Sequence, residues 1–279
     1  WKEGRRVDSR SIGVFDSGYG GLTILRDVRR LLPGYDYMYL GDNARAPYGT
    51  RSFDVVYRFT LEAVKYLFGQ GCPLVILACN TASAKALRTI QQCDLEKLDP
   101  TRRVLGVIRP TVEALGTHTL NGHIGILGTP GTINSRSYDI EIAKLWPEFT
   151  ASTHACPMWV PLVENGEASS PGADYFVRQE TSALFRTDPD IDTVVLACTH
   201  YPLLLDKIRE NVPKSAKILT QGEIVASSLL GYLDRHPEME SRLTRNATTQ
   251  FLTSEHPDKF SAAATIFLGH DISASHVEY

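Results

Sequence analysis

The chain has 279 residues, of which 43% are apolar and 22% charged, and its formal net charge is −3. This composition excludes a disordered or low-complexity chain. It gives no basic excess to attract nucleic acid or anionic lipid, and it suffices for one large domain or two ordinary ones. No apolar stretch approaches the roughly 18 residues that a membrane helix needs. The opening WKEGRRVDSR lacks the apolar core of a signal peptide and reads as a loose polar extension. Five cysteines with no C-x-x-C spacing argue against a disulfide framework or a zinc ribbon. They point to a reducing, cytoplasmic setting.

Short apolar runs alternate with longer amphipathic ones. Ser11–Phe15 is a predicted strand, followed by a glycine-rich turn and a helix through Leu22, Leu25, Val28, Leu31 and Leu32. Tyr35–Leu40 is the next strand, and Phe53–Phe68 a helix closed by Gly69. Pro73–Ala78 is a continuous apolar run of the buried parallel kind and stops at Cys79. Ala82–Gln91 is helical, Val104–Ile108 a further strand, and Pro110 is placed to open a helix. The order then begins again. Strands are predicted at Ile124–Leu127, Phe149–His154, Thr193–Ala197 and Ile218–Leu219. Helices are predicted at Ile133–Leu145, Ala173–Phe185, Leu203–Asn211 and Ile224–Leu233. Alternation of this kind implies an α/β protein with parallel sheets.

The second round answers the first. Ile12, Cys79 and Val104 correspond in order, at nearly constant separations, to Ile124, Cys198 and Ile218. We read this as an internal duplication giving two pseudo-symmetric parallel-sheet α/β domains with the active site in the cleft between them. The expected boundaries are 1–108 plus 222–279, carrying Asp16, Tyr48 and Cys79, and 109–221, carrying Thr132, Glu164, Cys198 and His200.

Ligands of open parallel sheets bind outside the carboxyl ends of the strands, where LACNTAS (77–83) and LACTHYP (196–202) each put a cysteine. Taken singly, a free cysteine is more often a buried structural residue. Two at equivalent strand ends, each with a polar tail, reverse that balance. Asn80 and Thr81 after one, Thr199 and His200 after the other, are suited to holding carboxylates, with helix-start N–H groups adding donors. A thiol on each wall of an anion-binding cleft suits moving a proton from one face of a carbon to the other. Cys72, Cys93 and Cys156 have no such setting and read as inert.

FDSGYGG (15–21) lacks G-x-G-x-x-G spacing, and Asp16 would repel a phosphate, so it is no phosphate loop. Either Asp16 or Ser17 caps the following helix, or Asp16 stands at the cleft mouth to manage a proton for Cys79 or meet a substrate ammonium. The matching turn GTPGT (128–132) offers Thr129 and Thr132, with helix capping an equal alternative. GDNARAPYG (41–49) is either a surface loop or, around Tyr48 and Gly49, a source of backbone N–H groups for a carboxylate.

The stretches IGVFDSGYGGL (12–22), YLGDNARAPYGTRS (39–52), LACNTAS (77–83), IGILGTPGTI (124–133), CPMWVPLVENG (156–166) and LACTHYPLL (196–204) together resemble the cofactor-independent aspartate/glutamate racemase family. The resemblance implies interconversion of L- and D-glutamate with Cys79 and Cys198 as the two bases, Cys79 acting on the D enantiomer and Cys198 on the L. It implies that Asp16 assists Cys79, that His200 assists Cys198, and that Glu164 lies near the latter. Substrate contacts then fall to Asp16, Ser17, Tyr48, Gly49, Asn80, Thr81, Thr199 and His200, with Thr132 on the matching turn. It further implies no metal and no other cofactor, a homodimer, and a supply of D-glutamate for peptidoglycan precursors. Gln221, Trp159 and residues 1–10 depart from the family's pattern without removing a catalytic group.

A free thiol has a pKa near 8.5, and a helix start is expected to lower it for the attacking cysteine. With no cofactor to delocalise the carbanion, positioning and fixed dipoles must do the work. Three rival readings are a Cys198–His200 hydrolase, a non-catalytic acidic-amino-acid binder, and zinc held by Cys79, Cys198 and His200. The hydrolase leaves the second thiol idle, and the zinc reading lacks the usual ligand spacing. Aspartate racemisation is the nearest alternative within the class.

Overall fold

The structure is a computed structural model that describes residues 10–279; the predicted polar extension falls almost wholly outside the described residues. Six strands form one sheet: β1 (Ile12–Asp16), β2 (Tyr37–Gly41), β3 (Leu74–Leu77), β4 (Arg103–Gly106), and, from near the other end of the chain, β9 (Thr249–Thr253) and β10 (Ala274–His276). Their order is β10-β9-β2-β1-β3-β4. The middle of the chain supplies β5 (His123–Gly128), β6 (Thr150–Ala155), β7 (Thr193–Ala197) and β8 (Lys217–Leu219), ordered β6-β5-β7-β8. Every strand pair is parallel. The run β2-β1-β3-β4 thus has the same topology as β6-β5-β7-β8, as a duplicated α/β chain requires.

The apolar runs form strands because helices bury both of their faces. All residues of β1, β3 and β7 are buried. Each fully buried Val, Leu or Ile contributes about 1.5–3 kcal/mol relative to exposure, so Leu77 and Val195 hold the strands that deliver the thiols. The Gly21–Leu31 helix covers the first sheet with Leu22, Leu25 and Val28. The Gly222–Arg235 helix packs along it. That approach requires glycine at 222, because a Cβ there would press on the Asp27 carboxylate.

Three local expectations need correction. The strand after the first thiol helix ends at Gly106, and Ile108 already opens the Ile108–His118 helix. Pro110 is its third residue, where no N–H is needed because the first four amides of a helix have no intrahelical acceptor. The helix predicted over 133–145 is two, Pro130–Asn134 and Ser137–Leu145, broken at Arg136 with φ 57°. Ser137 Oγ donates to Ala84 O at 3.1 Å and ties the break to the other half. Residues 249–276, which gave no strand signal, contribute two strands and the Pro257–Leu268 helix to the first sheet. Among the described residues, no helix is long and apolar enough to cross a membrane.

Candidate active site

Ser17, Ala46–Thr50, Cys79–Thr81, Thr129, Pro130, Cys156, Pro157, Val160, Pro161, Glu164 and Cys198–His200 line one cleft at the carboxyl ends of both sheets. Its enclosed volume is only about 70 Å³. A roomier cavity of about 510 Å³, lined by Arg88, Arg109, Lys144 and Arg235, contains neither thiol. The chemistry of the walls, not size, marks the candidate site.

β3 runs into Ala78 and Cys79, and the chain turns at once into the Asn80–Lys85 helix. Cys79 caps that helix with its own sulfur: Ala82 N donates to Sγ at 3.4 Å, and Ser17 Oγ lies 3.5 Å away. β7 delivers Cys198 in the equivalent position. Its sulfur lies 3.8 Å from His200 Nδ1, whose other ring nitrogen is 2.9 Å from Glu164 Oε1. The edge of His200 also meets Phe267, with ring centres 5.6 Å apart. His200 does not cap the turn that follows it.

The two thiols have opposite electrostatic settings. Cys79 is buried, and burial, reinforced by the Asp16 charge, pushes its pKa up to about 12. At Cys79 the helix start does not prevail: Ser17 and Ala82 N favour the thiolate but are outweighed. Burial opposes charge on His200 as well, yet hydrogen bonds to Cys198 and Glu164 hold its pKa up at about 10. Cys198 and Glu164 thus both favour the protonated form of the imidazole.

Asp16 ends β1 and is buried, and burial raises its pKa. Oδ1 accepts Gly18 N at 2.8 Å, whereas Oδ2 has no hydrogen-bond partner among the described residues. The helix that follows begins behind Gly20 with no side-chain cap, so Asp16 and Ser17 are not capping residues. The alternative proposed for the second turn is observed: Thr129 caps the Pro130–Asn134 helix, accepting Thr132 N at 3.2 Å. Thr81 Oγ1 reaches Thr129 Oγ1 at 2.9 Å and Thr132 Oγ1 at 3.3 Å, which joins the halves through hydroxyls. Thr132 is fully buried behind this wall and, like Asp16, is not among the lining residues.

The Tyr48 hydroxyl turns away from the cleft to donate to Asp42, which also accepts from Arg45 Nε at 2.7 Å and Ser254 Oγ at 2.8 Å. It is the backbone of the 46–50 loop that borders the cleft, and Gly49 O accepts Gly131 N across it at 2.7 Å. On the far wall, Thr23 Oγ1 donates to Thr199 O at 3.1 Å and fixes the peptide next to Cys198. Cys156, Pro157, Val160 and Pro161 form a further wall that periodicity does not reveal. The signal for it is the CPMWVP stretch, and Cys156, expected from the sequence to have no setting like that of the two thiols, lines the cleft beside them.

Fold and cleft together define a duplicated α/β enzyme with a thiol from each half facing one buried space. The chain belongs to the Asp/Glu/Hydantoin racemase family, whose model matches residues 13–226. The glutamate racemase of Dinoroseobacter shibae is 39% identical over 278 residues, which cover 96% of this chain and 99% of that one. Among solved structures, a glutamate racemase isoform from Bacillus anthracis superposes with a TM-score of 0.87 at 36% identity, covering 96% of this chain and 97% of that one. The glutamate racemase of Francisella tularensis, solved with D-glutamate, gives a TM-score of 0.85 at 31% identity, with 97% of this chain and 98% of that one covered.

Proposed function

We propose that the protein interconverts L- and D-glutamate by a two-base mechanism. Cys198 removes the α-proton from the L enantiomer and Cys79 removes it from the D enantiomer. The observation that carries this reading is that each half contributes a thiol to the same buried cleft, beside oppositely charged partners. From L-glutamate, the Cys198 thiolate takes the α-proton and becomes a thiol. The carbanion then takes a proton on its other face from the Cys79 thiol, which becomes the thiolate. From D-glutamate the same steps run in reverse.

With Cys79 held protonated and the protonated form of His200 favoured next to Cys198, the enzyme is set to take its proton first from the L enantiomer. Glu164 holds His200 charged, and His200 steadies the Cys198 thiolate. Asp16 Oδ2, which has no hydrogen-bond partner among the described residues, offers its charge to the substrate ammonium, which in turn relieves the burden on the Cys79 thiolate. The N–H groups of the Tyr48–Gly49 loop and of the Asn80–Thr81 and Thr199–His200 turns hold the two carboxylates. Glutamate racemases of 36–39% identity over nearly the whole chain support the choice of substrate.

Two domains, 1–108 with 222–279 and 109–221, accompany this reading; the first sheet takes strands from both ends of the chain and the second from the middle. So do action as a cytoplasmic homodimer and delivery of D-glutamate to peptidoglycan precursor synthesis.

The test is incubation of reduced protein with L-glutamate in deuterated water, without added metal or cofactor, following optical rotation and α-deuterium. Loss of rotation with deuterium entering the D product is the expected result. Aspartate leaves buried donors unpaired at about 1–3 kcal/mol each, so it should turn over roughly ten- to a hundred-fold more slowly. Faster turnover of aspartate would overturn the substrate and leave the chemistry. Exchange of neither amino acid would overturn the reaction itself.

A further inference from the structure

Behind Cys79 lies a closed ring of hydrogen bonds that the mechanism above does not use. Asn80 Nδ2 donates to Gln221 Oε1 at 2.6 Å, Gln221 Nε2 donates to Tyr138 OH at 2.9 Å, and Tyr138 OH donates to Asn80 Oδ1 at 2.8 Å. The second Gln221 N–H goes to Thr111 Oγ1 at 2.8 Å. Thr111 in turn donates to Val107 O at 2.7 Å. Asn80, Thr111, Tyr138 and Gln221 are all buried.

These residues come from four separate places. Asn80 opens the helix that Cys79 caps, and Thr111 lies on the Ile108–His118 helix that leaves the first sheet for the second. Tyr138 lies on the helix after β5. Gln221 stands between β8 and the Gly222–Arg235 helix, which returns to pack on the Gly21–Leu31 helix.

We infer that Gln221 is a positioning residue: through the ring it fixes Asn80, and thereby the Cys79 turn, relative to the opposite half that carries Cys198. The inference rests on the two-base reading. Asn80 has its carbonyl and one N–H engaged in the ring, which leaves one amide hydrogen for the cleft. At position 221 only a side chain with both a carbonyl and two N–H donors completes the set. A carboxylate would accept from Asn80 but could not donate to Tyr138 and Thr111. A methyl group would leave several buried polar groups without partners, each a substantial loss in an interior where water cannot replace them.

L- and D-glutamate have equal free energies, so kcat/KM must be the same from either side in any variant, and rates alone cannot locate the damage. Isotope effects can. If Gln221 holds the Cys79 side, its loss makes proton transfer at Cys79 more rate-limiting. The α-deuterium isotope effect on kcat/KM then rises from D-glutamate and falls from L-glutamate. For Gln221→Ala and the milder Tyr138→Phe we expect kcat/KM to drop on the order of tenfold, with this divergence in both. We also expect a changed ratio of Cys79 to Cys198 alkylation by iodoacetamide, read by peptide mass spectrometry without substrate.

Isotope effects that stay put or move together, with a lowered Tm, would reduce the ring to a structural tie and overturn the inference. So would kcat/KM within twofold of the parent in folded Tyr138→Phe. A parent protein that racemises no glutamate defeats the two-base reading instead. In that case the alkylation ratio still decides whether Gln221 governs Cys79: a changed ratio upholds that hold, and an unchanged one overturns it.

Discussion

At the residue scale, the cleft is asymmetric in charge though symmetric in fold. Cys79 lies in the field of a carboxylate, and Cys198 neighbours an imidazole that Glu164 braces and favours in its protonated form. This asymmetry argues against equal roles for the thiols in the resting enzyme. Serine has a far higher pKa than a thiol and cannot serve as the base, but its hydroxyl is nearly the same size. Cys79→Ser and Cys198→Ser should therefore each lose nearly all racemisation while remaining folded. Each should also retain a partial reaction that needs one base alone, the loss of HCl from a chlorinated glutamate. Cys198→Ser should eliminate from the D analogue and Cys79→Ser from the L analogue. If both variants handle the same enantiomer, the assignment of bases to faces is wrong.

At the element scale, what places the thiols is the meeting of strand ends with tight turns. Gly20, at the start of the Gly21–Leu31 helix, abuts the second half: a Cβ there would stand 2.5 Å from His200 Nδ1 and 2.7 Å from Cε1, and closer still to Thr199 Oγ1. Gly20 has ordinary helical angles, so space and not backbone freedom demands the glycine. In Gly20→Ala, His200 must move off Cys198 or Glu164. We expect a fall in kcat/KM of tenfold or more with a stability loss of about 1–3 kcal/mol, to be checked by steady-state kinetics beside thermal melts. A variant with parental kcat/KM would mean that the His200 position is not demanding.

The strands that end at the thiols were legible in the sequence because a buried parallel strand is a continuous apolar run, and LVILAC and VVLAC are that. The polar tails Asn80-Thr81 and Thr199-His200 were legible for the same reason: they interrupt such a run abruptly. The hydrogen-bonded ring was not. Gln221 and Asn80 lie 141 residues apart, and a lone amide between a strand and a helix carries no periodic signal. Strands β9 and β10 carry no clear signal because neither holds a long apolar run: in TQFLT only Phe251 and Leu252 are apolar, although the strand is paired on both sides and its last three residues are buried, and the edge strand ASH is half-buried to exposed. The raised pKa of Cys79 is not legible either, for a related reason. A helix start can be read from sequence, but the depth of burial and the nearby Asp16 depend on the fold.

At the scale of the whole molecule, the two ends of the first sheet have separate tasks. The carboxyl ends carry the cleft, and the amino ends carry a polar clasp that fastens the late part of the chain. Asp36, just before β2, accepts hydrogen bonds from Asn246 N and Nδ2 and from Thr248 N and Oγ1, at 2.7–3.2 Å. Burial alone would raise its pKa, but the donors of Thr244, Thr248 and Asn246 outweigh it and hold the carboxyl well below the usual range. The sign of the linkage follows. A carboxyl whose folded pKa is depressed contributes stability that is fully present above its unfolded pKa of about 3.9, and loses it as pH falls toward the folded value. The parent protein should therefore lose Tm steadily between about pH 5 and pH 3. Asp36→Asn, which keeps the shape but removes the charge and one acceptor, should be destabilised at pH 7 by about 1–3 kcal/mol. It should also show a flatter acid arm, because it no longer has that proton to take up. Since Asp36 lies at the opposite end of the strands from Cys79 and Cys198, kcat/KM at 25 °C and pH 8 should remain within about twofold, which is the usual reach of a distant substitution. Melting curves at pH 7 and pH 3, with racemisation measured alongside, decide the matter. An acid arm as steep as the parent's would mean that other carboxylates, not this clasp, set the stability of the molecule in acid.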